Sequence, residues 1–257
     1  MEGGVRRWLV DISLWDPSPA QFSSFLALLP KYEHPAILRL IFGFLLFCNH
    51  LMTMSDARFL KLDDRKRALV SRLLQYSLVH EVLDIPHAEI KIKRTIEGKP
   101  YLNNSRQHVR YPNFNFSVSH SGNYVGIASE PVCLVGLDIV SDVLRQESSL
   151  NFINDFSSYF THLEWKNITN AGNSNHTLSE FYRYWALKEA YVKALGNGLG
   201  YKLDRLEFHH IGWSNISVYV DGEESRDWKF WLFDLDEKHL VILLLSVCLS
   251  IHLSIYL

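Results

Sequence analysis

Several features that mark common protein classes are scarce or absent in this sequence. It has only three cysteines, Cys48, Cys133 and Cys248. Their odd number, wide spacing and apolar neighbours favour reduced, buried thiols over a disulfide framework or a zinc site. It also has no block of like charge, because its 26 basic and 28 acidic residues are interspersed and sum to a net charge of −2. The basic footprint of a nucleic-acid-binding protein is therefore missing, and an anionic ligand must meet a local basic site.

The first residues also lack the pattern of a targeting segment. Met1–Asp16 has no long apolar core and includes Asp11 and Asp16, which is typical of neither a secretory signal nor an acid-poor transit peptide. Together with the expected reduced cysteines, this favours a cytosolic protein. The chain has 257 residues, 47% of them hydrophobic, so it can bury a full core in one large domain or two small ones.

Two long apolar runs interrupt this mixed composition. Leu38–Met54 contains few polar residues, and Leu240–Leu257 contains no charge unless His252 is protonated. Both approach the roughly 20 residues with which a helix spans a bilayer. We expect a buried helix for the first run and a buried strand with an atypical end for the second. A membrane-seeking tail is the alternative for the second run.

Alternating strands carry the first candidate functional residues. Asn113–His120 alternates polar and apolar side chains with the period of a strand and places His120 at its end. Val132–Val140 is a following strand that contains a lone acid, Asp138. A meander of strands therefore delivers a histidine and an aspartate from neighbouring strands.

A basic turn lies upstream of these strands. Ile90–Arg94 alternates as a half-buried strand does, and Glu97–Pro100 turns the chain, so that Arg94 and Lys99 flank one turn. Before it, a helix with an apolar stripe runs from an acidic first turn near Asp63. The order of elements indicates two halves of similar content.

The segment Trp185–Lys193 combines a carboxylate and an ammonium on one predicted helix. Apolar residues recur with helical spacing from Phe181, and the helix should stop at the glycines that begin with Gly196. Glu189 and Lys193 lie four residues apart and should share a face. Such a pair, taken alone, is most often an exposed ion pair worth about 0.3 kcal/mol. Asp138 favours a second hypothesis, in which two acids from separate elements hold one hard cation.

Four motifs in this order resemble a known family. They are Gly98–Tyr101, Phe116–Gly122, Val135–Asp138 and Phe181–Gly196. The chain resembles the 4′-phosphopantetheinyl transferases of the larger, surfactin-synthetase-activating type. The similarity is greatest to the eukaryotic, aminoadipate-semialdehyde dehydrogenase transferase-like enzymes, with a plant-like N-terminal third. It covers most of the chain, from Trp8 to Arg39 and from Phe59 to Leu235.

This resemblance implies both a fold and an activity. The fold would be α+β, with two similar α/β subdomains related by pseudo-twofold symmetry, residues 1–130 and 131–257. The enzyme would be a magnesium-dependent holo-acyl-carrier-protein synthase, expected to be a monomer. It would move the 4′-phosphopantetheine arm of coenzyme A to a serine of an apo acyl or peptidyl carrier protein and release adenosine 3′,5′-bisphosphate.

The resemblance also implies roles for single residues. Asp138 and Glu189 would bind magnesium, Glu189 would act as general base, and Lys193 would hold phosphate and stabilise the leaving group. The residues implied for coenzyme A binding are His120 at the phosphates, Arg94, Gly98, Lys99 and Pro100 in the basic turn, Ser117 and Ser119 at the nucleotide, and Arg39 or Arg58 near the N-terminus.

The sequence departs from the family in three places. Val140 stands where many bacterial members carry a third acid. Residues 40–58 form an insertion that looks foreign to the family, and residues 240–257 form an atypical aliphatic tail. Both segments could be translated intron sequence. The alternatives to an active transferase are therefore a coenzyme A-binding pseudoenzyme, a non-functional splice form, and a membrane-tethered form held by the tail.

Overall fold

A computed structural model of the chain describes residues 5–38, 56–103, 111–141 and 151–246, without the side chains of 56–61, 151, 152 and 199. Arg39 and most of the 40–58 insertion lie outside the described residues, as does the tail beyond Ser246. Arg58 lies in a helix, but its side chain is not described. No structural statement about these segments follows.

Helices and antiparallel strands alternate along the described chain. The helices are α1 (Pro19–Leu26), α2 (His34–Leu38), α3 (Asp56–Leu83), α4 (Asn151–Asn154), α5 (His162–Thr169) and α6 (Ser174–Leu195). The strands are β1 (Arg6–Asp11), β2 (Ile92–Arg94), β3 (Pro100–Leu102), β4 (Asn115–Ser121), β5 (Tyr124–Glu130), β6 (Val135–Ser141), β7 (Leu206–Ile211), β8 (Ser214–Val220), β9 (Glu223–Ser225), β10 (Trp228–Asp236) and β11 (His239–Ser246). The described residues also form four short 3₁₀ turns, which are His87–Glu89, Ser157–Tyr159, Gly198–Gly200 and Leu203–Arg205.

Within the described residues, the strands form three three-stranded sheets and one two-stranded ribbon. The first half contains the sheet β1-β5-β4 and the ribbon β2-β3, and the second half contains the sheets β10-β11-β6 and β7-β8-β9. Every pairing in these sheets is antiparallel. The α+β class expected from the sequence is therefore confirmed. The proposed division at residue 130 falls between β5 and β6, and this division and the pseudo-twofold symmetry stay predictions.

Each half packs a long helix on its own hydrophobic core. In the first half α3 buries Leu69, Leu78 and Val79 against the β1-β5-β4 sheet and the segment after the helix. In the second half α6 buries one face, including Phe181 and Leu187, among α5, β7 and β11. A third, smaller apolar cluster lies between the two halves and joins β5, β6 and β11.

Local sequence signals explain the limits of α6. The Asn173 side chain accepts a hydrogen bond from the His176 amide and thereby caps the first turn. The helix ends at Leu195, and Gly196 follows with φ 78°, the left-handed conformation that glycine adopts at little cost. The predicted stop at the glycines is therefore where the helix ends.

Two expectations about apolar and cysteine residues have different outcomes. The tail strand is confirmed as far as Ser246, because β11 is the central strand of its sheet and buries Leu240, Ile242 and Leu244. The expectation of reduced thiols is wrong for Cys133, which is disulfide-bonded. Cys48 and Cys248 lie outside the described residues.

Among the helices described, none combines the length and apolarity that a membrane span needs.

The sheets β1-β5-β4 and β10-β11-β6 meet where β4 lies beside β6. The Ser117 Oγ accepts a hydrogen bond from the Leu137 amide at 3.0 Å, and the Ser119 Oγ accepts one from the Ile139 amide at 3.1 Å. Side chains of the first half thus bind the main chain of the second. This junction places the end of β4 close to the middle of β6.

Candidate active site

Asp138 lies at the centre of the candidate site, in the middle of β6. Its side chain is buried, with 7% of its surface exposed. Its Oδ1 accepts hydrogen bonds from the Ser119 Oγ at 3.0 Å and from the Lys193 Nζ at 2.6 Å. Asp138 therefore joins three elements, since Ser119 lies on β4 and Lys193 on α6.

A glycine allows α6 to approach β6 closely enough for these contacts. A Cβ added to Gly136 would lie 2.0 Å from the main-chain oxygen of Ala190 and 3.0 Å from the Ala194 Cβ. Real Cβ atoms do not approach a main-chain oxygen so closely, so only glycine fits this position without moving the helix. The turn of α6 that carries Glu189 and Lys193 lies next to this contact.

Glu189 is half-buried beside Asp138. Burial raises the pKa of its carboxyl, the negative charge of Asp138 raises it further, and the charge of Lys193 opposes both. Within the described part of the chain the Glu189 side chain makes neither a hydrogen bond nor an ion pair. The i,i+4 ion pair is therefore not formed here, because Lys193 pairs with Asp138 instead.

His120 ends β4 next to Ser119. Its side chain keeps exposed surface, but the protein atoms around the ring and, after them, the positive charges of Lys193 and Arg67 lower the pKa to about 4. The imidazole is therefore neutral at pH 7. Arg67 lies close by on α3, where its Nη1 donates to the Gly122 oxygen at 2.6 Å. Several cations thus surround one exposed histidine, and this arrangement suits an anionic ligand.

The basic turn between β2 and β3 lies against the C-terminal end of α6. The Lys99 Nζ donates to the Ala194 oxygen at 2.6 Å, and burial lowers the pKa of Lys99 to about 8. The Arg94 Nη1 donates to the Gly98 oxygen at 2.9 Å, and Gly98 has φ 94°. Arg94 keeps exposed surface, but the protein atoms around its guanidinium and, after them, the charge of Arg72 lower its pKa to about 10. Pro100 is buried at the start of β3.

The structure thus brings most of the sequence-predicted residues to one region. Asp138, Glu189, Lys193 and Ser119 contact or neighbour one another, His120 adjoins them, and the basic turn reaches the end of the same helix. Ser117 is different, because its side chain is buried and its hydroxyl accepts from the Leu137 amide. Its role at the nucleotide, like the other residue roles, stays a prediction.

The donor set can be tested for a fit to magnesium. Among the described residues, neither the Glu189 carboxylate nor the second oxygen of Asp138 accepts a protein hydrogen bond. The charge of Asp138 raises the pKa of Glu189, so the two groups repel, and a divalent cation would relieve this repulsion. The described part of the chain has no cluster of three or more acidic, histidine or cysteine ligands. Two carboxylates still suit magnesium, which takes its remaining ligands from water and substrate phosphates.

Comparison with known proteins decides the family. Residues 51–132 match the family model described as "4'-phosphopantetheinyl transferase, N-terminal", and residues 134–244 match the one described as "4'-phosphopantetheinyl transferase superfamily". The chain belongs to the 4′-phosphopantetheinyl transferase superfamily. Asp138, Glu189 and Lys193 all lie within the second matched region, and the basic turn and His120 lie within the first.

Individual transferases are similar over most of the chain. The L-aminoadipate-semialdehyde dehydrogenase-phosphopantetheinyl transferases of Rattus norvegicus and Homo sapiens are each 35% identical over 244 residues, which is 91% of this chain and 72% of the relative. The phosphopantetheinyl transferase of a Thraustochytrium species is 37% identical over 186 residues, which is 69% of this chain and 63% of the relative. These relatives confirm the resemblance to the eukaryotic branch.

One buried ion pair of this transferase, Lys188 with Glu164, was not predicted from the sequence. Lys188 precedes Glu189 and is fully buried, with its Nζ 2.8 Å from the Glu164 Oε2. Burial lowers the pKa of Lys188 and raises that of Glu164, while the attraction between them opposes both shifts. A signal was present, because Lys188 lies four residues after Tyr184 and seven after Phe181, on the apolar face of the helix.

Proposed function

We propose that the chain is a magnesium-dependent transferase that moves the 4′-phosphopantetheine arm of coenzyme A to a serine hydroxyl of an apo carrier protein. Adenosine 3′,5′-bisphosphate leaves. Transferase activity follows from membership of the superfamily. The proposed magnesium-dependent mechanism rests on the arrangement of Asp138, Glu189 and Lys193 on β6 and α6. This arrangement lies next to His120, which several positive charges surround.

Glu189 is proposed as the general base. Its carboxylate has no hydrogen-bond partner among the described residues. Its pKa is raised toward neutral pH, which makes it a stronger base than an exposed glutamate. The proton moves from the carrier serine oxygen to the Glu189 carboxylate as that oxygen attacks the β-phosphorus. The bond from this phosphorus to the leaving bisphosphate breaks, and the leaving group keeps the electron pair.

Asp138 and Glu189 would hold magnesium. When bound, the cation neutralises pyrophosphate charge, which is the main requirement of phosphoryl transfer. Lys193 adds a positive charge next to Asp138, and neutral His120 donates one N–H to a phosphate oxygen. Arg94 and Lys99 supply further cations for the remaining phosphate of coenzyme A, and Gly98 gives access to the main chain of the turn.

The identity of the carrier is a separate proposal. The printed names of several relatives refer to L-aminoadipate-semialdehyde dehydrogenase. We propose a carrier domain of the acyl or peptidyl class for this chain, and a panel of apo-carriers selects among fatty-acid, mitochondrial, polyketide and aminoadipate types. The cytosolic location and the monomeric state stay predictions, which fractionation and light scattering test.

The deciding experiment incubates the purified full chain with coenzyme A, magnesium and an apo-carrier. We expect the carrier to gain the mass of one phosphopantetheinyl group, and a carrier whose acceptor serine is replaced by alanine to gain none. A chelator should stop the reaction, and added magnesium should restore it. Coenzyme A binding without any mass gain across the carrier panel would instead identify a pseudoenzyme. Transfer that persists after complete chelation would contradict the magnesium proposal.

A further inference from the structure

Four alternate side chains of β4 accept hydrogen bonds from four alternate amides of β6. The bonds are Val135 N to Asn115 Oδ1 at 3.1 Å, Leu137 N to Ser117 Oγ at 3.0 Å, Ile139 N to Ser119 Oγ at 3.1 Å, and Ser141 N to Ser121 Oγ at 3.0 Å. We call these four bonds the β4–β6 ladder. Each joins residues that are 20 positions apart, so the two strands run parallel in a constant register.

The position of both strands explains why such a ladder is needed. β4 and β6 are edge strands, whose main chains pair with β5 and β11 on one side only. The amides of β6 that point away from β11 are buried against β4 and need acceptors. Alternate residues of β4 share one face, and polar side chains at every second position supply those acceptors.

One member of the ladder makes additional contacts. The Ser119 hydroxyl accepts from the Ile139 amide, accepts from the Lys193 Nζ at 2.9 Å, and donates to the Asp138 Oδ1 at 3.0 Å. A serine hydroxyl has one hydrogen to donate and two lone pairs to accept with. These three bonds use the full hydrogen-bonding capacity of the Ser119 hydroxyl.

We infer that the β4–β6 ladder sets the register of the two halves and that Ser119 is a positioning residue, which orients Asp138 and Lys193. The second part rests on the proposed function. Ser119 fixes one oxygen of Asp138 toward the protein and thereby leaves the other for a cation. It also holds the Lys193 ammonium beside Asp138 and away from Glu189.

Ser121 provides a matched control for Ser119. Both serines lie on β4, and each accepts a hydrogen bond from a β6 amide. Within the described residues, Ser119 also contacts Asp138 and Lys193, whereas Ser121 contacts neither. Removal of either hydroxyl should therefore disturb the ladder, whereas only removal of the Ser119 hydroxyl should disturb the acidic site.

The experiment compares full-length Ser119→Ala, Ser119→Thr and Ser121→Ala with the wild type, with Ser117→Ala added for hydrogen exchange alone. We expect Ser119→Ala to lower kcat and to weaken magnesium binding in the presence of coenzyme A, each about 10- to 100-fold. Ser119→Thr should restore most of both losses. Ser121→Ala should lower the melting temperature and leave kcat and magnesium affinity near the wild type.

Other outcomes separate this inference from the proposed function. If Ser119→Ala raises only the KM for coenzyme A, the serine contacts the nucleotide and the positioning role is wrong. A wild type that transfers nothing contradicts the proposed function, while magnesium affinity measured by calorimetry still tests Ser119. Amide hydrogen exchange tests the ladder itself: Leu137 should exchange faster in Ser117→Ala and Ile139 faster in Ser119→Ala, and unchanged exchange at both would overturn it.

Discussion

At the scale of single residues, the carboxylate that pairs with Lys193 determines which acid of the site stays free to act as a base. Helical spacing offers Glu189 as its partner at i−4, but the Nζ lies 2.6 Å from the Asp138 Oδ1. Asp138 is more buried than a carboxylate on an open helix face, and a buried charge gains more from a partner. Glu189 consequently keeps its carboxylate unpaired among the described residues, as a general base requires.

The lowered pKa of Lys99 predicts a pH dependence. In the free enzyme its ammonium loses a proton as the pH rises through about 8, because burial disfavours the charged form. If Lys99 holds a phosphate of coenzyme A, kcat/KM for coenzyme A should fall between pH 7 and pH 9 with an apparent pKa of about 8.

Variants of the same ribbon provide the control for this prediction. Lys99→Arg should flatten the profile in that range, since a guanidinium stays charged. Lys93→Arg, an exposed position on β2, should keep the wild-type profile. Coincident profiles for the wild type and Lys99→Arg would rule out a charged Lys99 in coenzyme A binding.

At the scale of secondary-structure elements, the site depends on how closely α6 approaches β6. Gly136 has no side chain at the contact with Ala190, so the helix lies directly on the strand that carries Asp138. The obstacle to a larger residue is a main-chain oxygen inside a helix, which cannot move alone. A change in this contact would shift Glu189 relative to Asp138.

Gly136→Ala should therefore reduce both stability and activity. We expect the free energy of unfolding to fall by about 3 kcal/mol, as in other overpacked interiors, and kcat to fall more than KM changes. Chemical denaturation and the transfer assay measure these effects. Gly200→Ala is the matched control, because a Cβ there meets nothing within 4 Å. Wild-type stability in Gly136→Ala would show that the contact is not close.

The buried Glu164–Lys188 pair anchors α6 from its other side. The Lys188 Nζ binds Glu164 and donates to the Leu203 and Leu206 oxygens, and the Glu164 Oε1 accepts from the Phe208 amide. The pair thus ties α5 and the start of β7 to the helix that carries the catalytic acid.

Lys188→Met should destabilise the protein strongly. It would leave Glu164 as an unpaired buried charge, which typically costs about 3–5 kcal/mol. Denaturant titration should show this loss, while Lys166→Met, at an exposed position of α5, should have little effect. Equal stability of Lys188→Met and the wild type would mean that the pair does not anchor the helix.

At the scale of the whole molecule, two halves supply different parts of one site. The first half provides Ser119, His120 and the basic turn, and the second provides Asp138 and α6. The β4–β6 ladder and the contact of Lys99 with Ala194 join these parts. Binding of coenzyme A across this junction would make its affinity depend on both halves.

Periodicity and the family motifs predicted much of this arrangement. The C-terminal end of α6, the strands β4 and β6, and the grouping of Asp138 with Glu189 follow from spacing and from the order of the motifs. The start of α6 at Ser174 does not, because the apolar spacing begins only at Phe181. The Glu164–Lys188 pair and the ladder could not be predicted in this way, because each joins residues 20 or more positions apart through side chains. The pairing of Lys193 with Asp138 rather than with Glu189 could not be predicted for the same reason, because Asp138 lies 55 positions away in the sequence.

The rate of carrier modification by Glu189→Gln tests the central claim most directly. This substitution keeps the size of the side chain and removes its ability to accept a proton. At saturating magnesium and coenzyme A, we expect the mass gain of the carrier to slow by about 10²- to 10⁴-fold, with unchanged melting behaviour. Transfer by Glu189→Gln at the wild-type rate would contradict the assignment of Glu189 as the base and the site built around it.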